Sequence, residues 1–145
     1  MKKIISTLFV FGISIFANLL FAQQISREQK VAFQTDNIET LKKSFAKEDY
    51  NKCFGAKETS YNLLSFSVKH DKKNVFNYLL SNNVDVNKAC DNQTPLMIAA
   101  KYGRADLAKA LLKKGATKTL KNDKGQTAKD YSVEYKQPAL TEILK

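Results

Sequence analysis

Apolar positions in this chain recur with helical spacing, in paired blocks. Val75, Phe76, Leu79 and Leu80 stand at i, i+1, i+4 and i+5, and Leu107, Ala108, Leu111 and Leu112 repeat the same figure. That spacing puts one apolar stripe on one face of a helix. It predicts a helix from about Ala105 to Lys113, closed by Gly115. Ahead of it, Thr94 is placed to cap a helix whose first residue is Pro95, where the missing amide would be unpaired anyway. Leu96 then faces the core, and Ala99 and Ala100 keep that helix thin enough for a neighbour to approach closely. Gly103 supplies the left-handed residue that ends a helix without a Cβ penalty.

The blocks also recur along the chain. Leu79-Leu80 and Leu111-Leu112 lie 32 residues apart, and Leu144 follows Leu111 by 33. Val75, Leu107 and Leu140 each stand four positions ahead of those marks, and Thr94-Pro95 precedes Thr127-Ala128 by 33. A repeat of this length is a supersecondary unit that buries its apolar face only by stacking on copies of itself.

With its period of about 33 residues, the chain resembles the ankyrin-repeat family. The resemblance is carried most specifically by Asp91-Asn92-Gln93-Thr94-Pro95-Leu96-Met97-Ile98-Ala99-Ala100-Lys101-Tyr102-Gly103 and by Leu107 to Ala116. Met97 replaces the family's usual His, and Asn92 stands where Gly is usual. Gly125 to Tyr131 looks like a terminal repeat ending in Leu140, Ile143 and Leu144. The preceding unit is more degenerate, with Asn62-Leu63-Leu64 in the Thr-Pro-Leu place and Val84-Asp85-Val86-Asn87 as its loop. Asp36-Asn37-Ile38-Glu39, with Leu41 and Phe45, marks one unit more. The resemblance implies an all-α solenoid of about four helix-turn-helix units with short hairpin-like loops, at about 26–57, 58–90, 91–122 and 123–145.

Before these units, Lys2-Lys3 is followed by a run from Ile4 to Phe21 that is apolar apart from Ser6, Thr7, Ser14 and Asn18, and Ala22 precedes Gln23-Gln24. This pattern is expected to be a signal peptide over 1–22, cleaved after Ala22. An uncleaved anchor is the alternative. As a helix, Ile4 to Ala22 would span about 28 Å against a hydrocarbon core of roughly 30 Å. The chain is therefore expected to be exported, either periplasmic or secreted.

Composition sharpens the picture without changing it. Hydrophobic residues make up 43% and charged residues 26% of the 145, as in an ordinary folded domain. The formal charge of +10 points to acidic partners. Losing Lys2 and Lys3 with the leader leaves 22 basic against 14 acidic residues, or +8. Outside the cytoplasm, nucleic acid is not the expected partner.

Catalytic chemistry finds little support. One His and no Trp are present, and no nucleophile–base set, phosphate loop or metal cluster can be read. No enzyme, cofactor or metal is expected, and His70 reads as a solvated turn residue. Cys53 and Cys90 are the only cysteines. An exported chain with two cysteines favours a disulfide, and the repeat frame puts both in loops after second helices of adjacent units, which stack. Two free thiols are the alternative.

By position, the family's contact surface implies a concave strip. Its first-helix edge would supply Lys69 and His70, Lys101 and Tyr102, and Glu134 and Tyr135. Its loops would add Tyr61, Asp91, Gln93, Lys124 and Gln126. Interleaved aromatic and basic residues suit an interface. The resemblance thus implies a non-catalytic module, expected to be a monomer, that binds a protein partner of unread identity. The alternative is electrostatic attachment to an anionic envelope surface, a lipid headgroup or acidic glycan.

Overall fold

The computed structural model describes residues 25–56 and 58–145. The expected leader at 1–22 lies outside them. Eight α-helices follow one another in four antiparallel pairs among the described residues: α1 (Arg27–Thr35) with α2 (Ile38–Ser44), α3 (Leu63–Lys69) with α4 (Lys73–Ser81), α5 (Pro95–Tyr102) with α6 (Ala105–Lys113), and α7 (Ala128–Glu134) with α8 (Pro138–Ile143).

Each first helix starts on a side-chain cap. Ser26, Asn62, Thr94 and Thr127 accept from the amides of Gln29, Ser65, Met97 and Asp130, and Ser26 and Thr127 complete capping boxes. These bonds satisfy amides that have no partner inside the helix. The turn between paired helices is equally regular. Asp36, Asp71, Gly103 and Lys136 each adopt positive φ, at 49°, 53°, 70° and 54°. In the last three units the next amide reaches back into the first helix: Lys72 N to Ser67 O at 2.8 Å, Arg104 N to Ala99 O at 2.9 Å, and Gln137 N to Ser132 O at 2.7 Å. This pattern closes the carbonyl end of a helix. Only one of the four turns uses glycine, so the geometry persists where the sequence signal does not.

The first helices stack in order, with α5 packed against both α3 and α7. Ala99 and Ala100 are fully buried at this contact. One hydrophobic core runs from Ile25 to Leu144, as stacking of units that cannot stand alone requires. At the N-terminal end it is aromatic. Phe33 of α1 lies 4.2 Å from Phe66 of α3 and 5.5 Å from Phe45, whose ring is 5.3 Å from Phe54.

The fold is helical as expected, with one addition. β1 (Phe54–Ala56) and β2 (Thr59–Tyr61) form an antiparallel hairpin with Phe54 opposite Tyr61. The corresponding turn of the next unit is reduced to a single bridge between Cys90 and Gln93. A disulfide joins Cys53, just before β1, to Cys90, with Cα atoms 5.8 Å apart. Among the described residues no helix is long and apolar enough to cross a membrane.

Candidate functional site

The C-terminal turns of α3, α5 and α7, with the end of β2, assemble a ladder of alternating cations and phenol rings. The Lys69 ammonium donates to the Tyr61 hydroxyl at 3.0 Å and sits 4.4 Å from the centre of that ring. It also lies 5.7 Å from the ring of Tyr102. The Lys101 ammonium stands 5.8 Å from the same Tyr102 ring and 5.2 Å from that of Tyr135. Tyr135 stacks on Tyr131 at 5.9 Å, with 18° between the planes. The ladder therefore reads Tyr61, Lys69, Tyr102, Lys101, Tyr135, Tyr131 across three successive units. Each cation is within reach of the negative face of two rings, an attraction worth about 0.5–1 kcal/mol at exposed sites.

The local reason is simple. Lys69, Tyr102 and Tyr135 close helices whose starts are fixed by the caps at Asn62, Thr94 and Thr127. Stacking of those helices then sets the rungs side by side. Partial burial works against the charge on Lys69, but the Tyr61 hydroxyl and the phenol of Tyr102 outweigh it and hold the pKa above that of an ordinary lysine. The site thus keeps a fixed positive charge.

Positive charge also gathers at the turn after α3. His70 packs on Phe66 at 4.3 Å between ring centres. Burial lowers its pKa below the ordinary histidine value, and the charges of Lys69, Lys72 and Arg104 lower it further. Arg104 donates to the Lys69 carbonyl at 3.1 Å and stands 3.9 Å from the Asp71 carboxylate.

Of the positions read from the sequence, Lys69, Lys101, Tyr102 and Tyr135 are brought together. Tyr61 joins them, but in a different role. It is only 6% exposed, because its ring packs edge-on against Phe66 at 6.2 Å, and it holds Lys69 from beneath. His70 is exposed at the rim. Tyr102 is half-buried and packs on the core, so it serves the fold as well as the surface.

The loop positions are less free. The Asp91 carboxylate accepts from the Ser60 amide and ties one hairpin to the next. Gln93 is half-buried, its backbone paired with Cys90. Gln126 donates from its amide to the Glu134 carboxylate at 2.8 Å. Lys124 is exposed, apart from the ladder, with its backbone amide bonded to Asn122 at 2.9 Å.

Two residues escaped the sequence reading. Arg104 carries no signal beyond following Gly103, and its bonds reach into the preceding unit. Tyr131 was legible through its i, i+4 spacing to Tyr135, which puts both on one helix face. Among the described residues no group of three or more His, Cys, Asp or Glu is placed to hold a metal ion.

A family model described as ankyrin repeats (3 copies) matches residues 30–123 and 64–145. Together these spans take in the whole ladder and all four helix pairs except the first turn of α1. No curated protein matches the chain.

Proposed function

Because the chain belongs to the ankyrin-repeat family, whose repeats generally mediate protein–protein interaction, we propose that it is a non-catalytic binding module that acts outside the cytoplasm. It grips a protein partner through the ladder on its first-helix edge. The observation that carries this reading is the alternation of Lys69, Tyr102, Lys101 and Tyr135 over three stacked units. Aromatic and basic groups held at fixed spacing by the solenoid suit an interface with an amphipathic core and a charged rim. Action outside the cytoplasm is supported by the Lys2-Lys3 start with its apolar run to Phe21, and by the Cys53–Cys90 bond, a feature of oxidising compartments.

The test is capture from the native envelope. The tagged protein, cross-linked in place and purified, is expected to carry one dominant protein partner that survives a wash in a few hundred millimolar salt, since packed interfaces outlast screening. Its mass is expected to begin at Gln23. Release of all bound material by salt alone, with anionic lipid or glycan in the eluate, would instead assign the chain to electrostatic attachment.

A further inference from the structure

We propose that the segment this surface recognises is an extended, acidic stretch of polypeptide, with carboxylates seated on Lys69 and Lys101 to either side of Tyr102. The inference rests on the protein-binding reading above and adds the chemistry of the partner.

Three observations carry it. First, neither Lys69 nor Lys101 forms an ion pair with an acid of the chain among the described residues. The pairs present there involve Lys42, Lys52, Arg104 and Lys145. Both ammoniums instead rest on aromatic rings, which attract a cation without neutralising it. Second, the nearby acids, although exposed, are each engaged by a group of the chain itself. Glu134 accepts from Gln126, Asp91 from the Ser60 amide, and Asp71 faces Arg104. The strip therefore keeps its two cations unpaired while its own carboxylates are engaged. Third, further positive charge adjoins Lys69: Arg104 donates to its carbonyl at 3.1 Å, and after burial the charges of Lys69, Lys72 and Arg104 lower the pKa of His70.

The form of the ladder selects among anions. Tyr61 and Tyr131 are each 6% exposed, so their rings cannot insert into a bilayer, and Lys69 lies half-buried beside Tyr61 and Tyr102. Nucleic-acid bases need free ring faces for stacking. Here Lys69 and Lys101 stand over the rings of Tyr61, Tyr102 and Tyr135. What is left open is the line of Lys69, Tyr102, Lys101 and Tyr135 crossing three units. A narrow chain with spaced carboxylates can follow that line, and partial exclusion of water strengthens each contact.

The experiment is selection of a random displayed peptide library on the full chain with its disulfide intact, followed by affinity measurement on the winning peptides. Acidic sequences are expected to be enriched, with Glu→Gln versions binding at least about tenfold more weakly. The K69Q/K101Q protein should lose those peptides by about a hundredfold, K69R/K101R should keep most of the affinity, and K109Q/K113Q on the exposed face of α6 should bind normally. Should the double variant fold poorly, Lys101→Gln alone is expected to cost about tenfold, with the melting temperature as the check. Enrichment of neutral or basic peptides, or acidic peptides indifferent to K69Q/K101Q, overturns the inference and leaves protein binding standing. Failure to select any peptide, with binding to phosphatidylglycerol vesicles or an oligonucleotide that K69Q/K101Q abolishes, overturns both.

Discussion

The carboxylate of Asp36 accepts from the amide of Val75 at 3.0 Å, across a unit boundary. It also accepts from Asn74 at 3.2 Å, and so caps α4, whose own N-cap residue, Lys72, makes no side-chain capping bond. The weakest-looking unit of the sequence thus supplies the start of the next unit's second helix. Asp36→Ala is expected to lower the unfolding free energy by about 1 kcal/mol. Denaturant melts of the two proteins measure it, and a smaller loss is expected for Asp36→Asn, whose side-chain oxygen still accepts.

Reduction of the disulfide is expected to cost more. It closes a span of 37 residues, worth roughly 3–4 kcal/mol in the loop-entropy view, and it fastens the β1–β2 hairpin that carries Tyr61. Non-reducing peptide mapping should return Cys53 and Cys90 in one linked pair. Two titratable thiols per chain in unreduced protein would remove the staple.

Thr94, Pro95, Gly103 and the leucine stripes were legible in the sequence because their jobs are local: a cap, a first turn, a left-handed stop, an apolar face. What stayed hidden lies between units. Asp36 and Arg104 act on neighbours about one repeat away, and no spacing within a helix announces such bonds. The β1–β2 hairpin stands where the resemblance implies a hairpin-like loop, but its strands carry none of the usual Asn-Gly signal that would mark it on their own. Tyr61 was read as a loop-tip contact because the repeat frame puts it there. Its pairing with Phe54 and packing on Phe66 turn it inward instead. In the candidate site the frame placed the helix-end residues well and the loop residues poorly, since helix phase is rigid and loops spend their polar groups on one another.

Ala99 is fully buried on α5, which packs against helices on both sides. Ala99→Phe is expected to destabilise by about 1–3 kcal/mol through overpacking. Thermal unfolding followed by circular dichroism checks it, and an unchanged melting temperature would contradict the stacking of α5 between α3 and α7.

His70 gives the fold a pH dependence of definite sign. Its folded pKa is held below the ordinary 6.5, by burial first and then by the neighbouring positive charges. Between that lowered value and 6.5 the unfolded chain binds more protons than the folded one. Stability is therefore full above 6.5 and is lost as pH falls through that window. Melting temperatures measured from pH 7.5 to 5.5 should decline, and His70→Gln should flatten the decline. Equal slopes for the two proteins would mean that the imidazolium is not disfavoured in the fold.

A partner held by the first-helix edge should distinguish Tyr102→Ala from Lys109→Ala by its Kd. Tyr102 lies between the two ladder cations, whereas Lys109 is exposed on α6, outside the ladder. Removing a central tyrosine often costs about 2 kcal/mol or more, so Tyr102→Ala is expected to weaken binding at least about tenfold. Because Tyr102 also packs on the core, both variants are compared well below their melting temperatures. Lys109→Ala is expected to leave the Kd essentially unchanged. A larger loss for Lys109→Ala than for Tyr102→Ala would place the partner on another face of the solenoid.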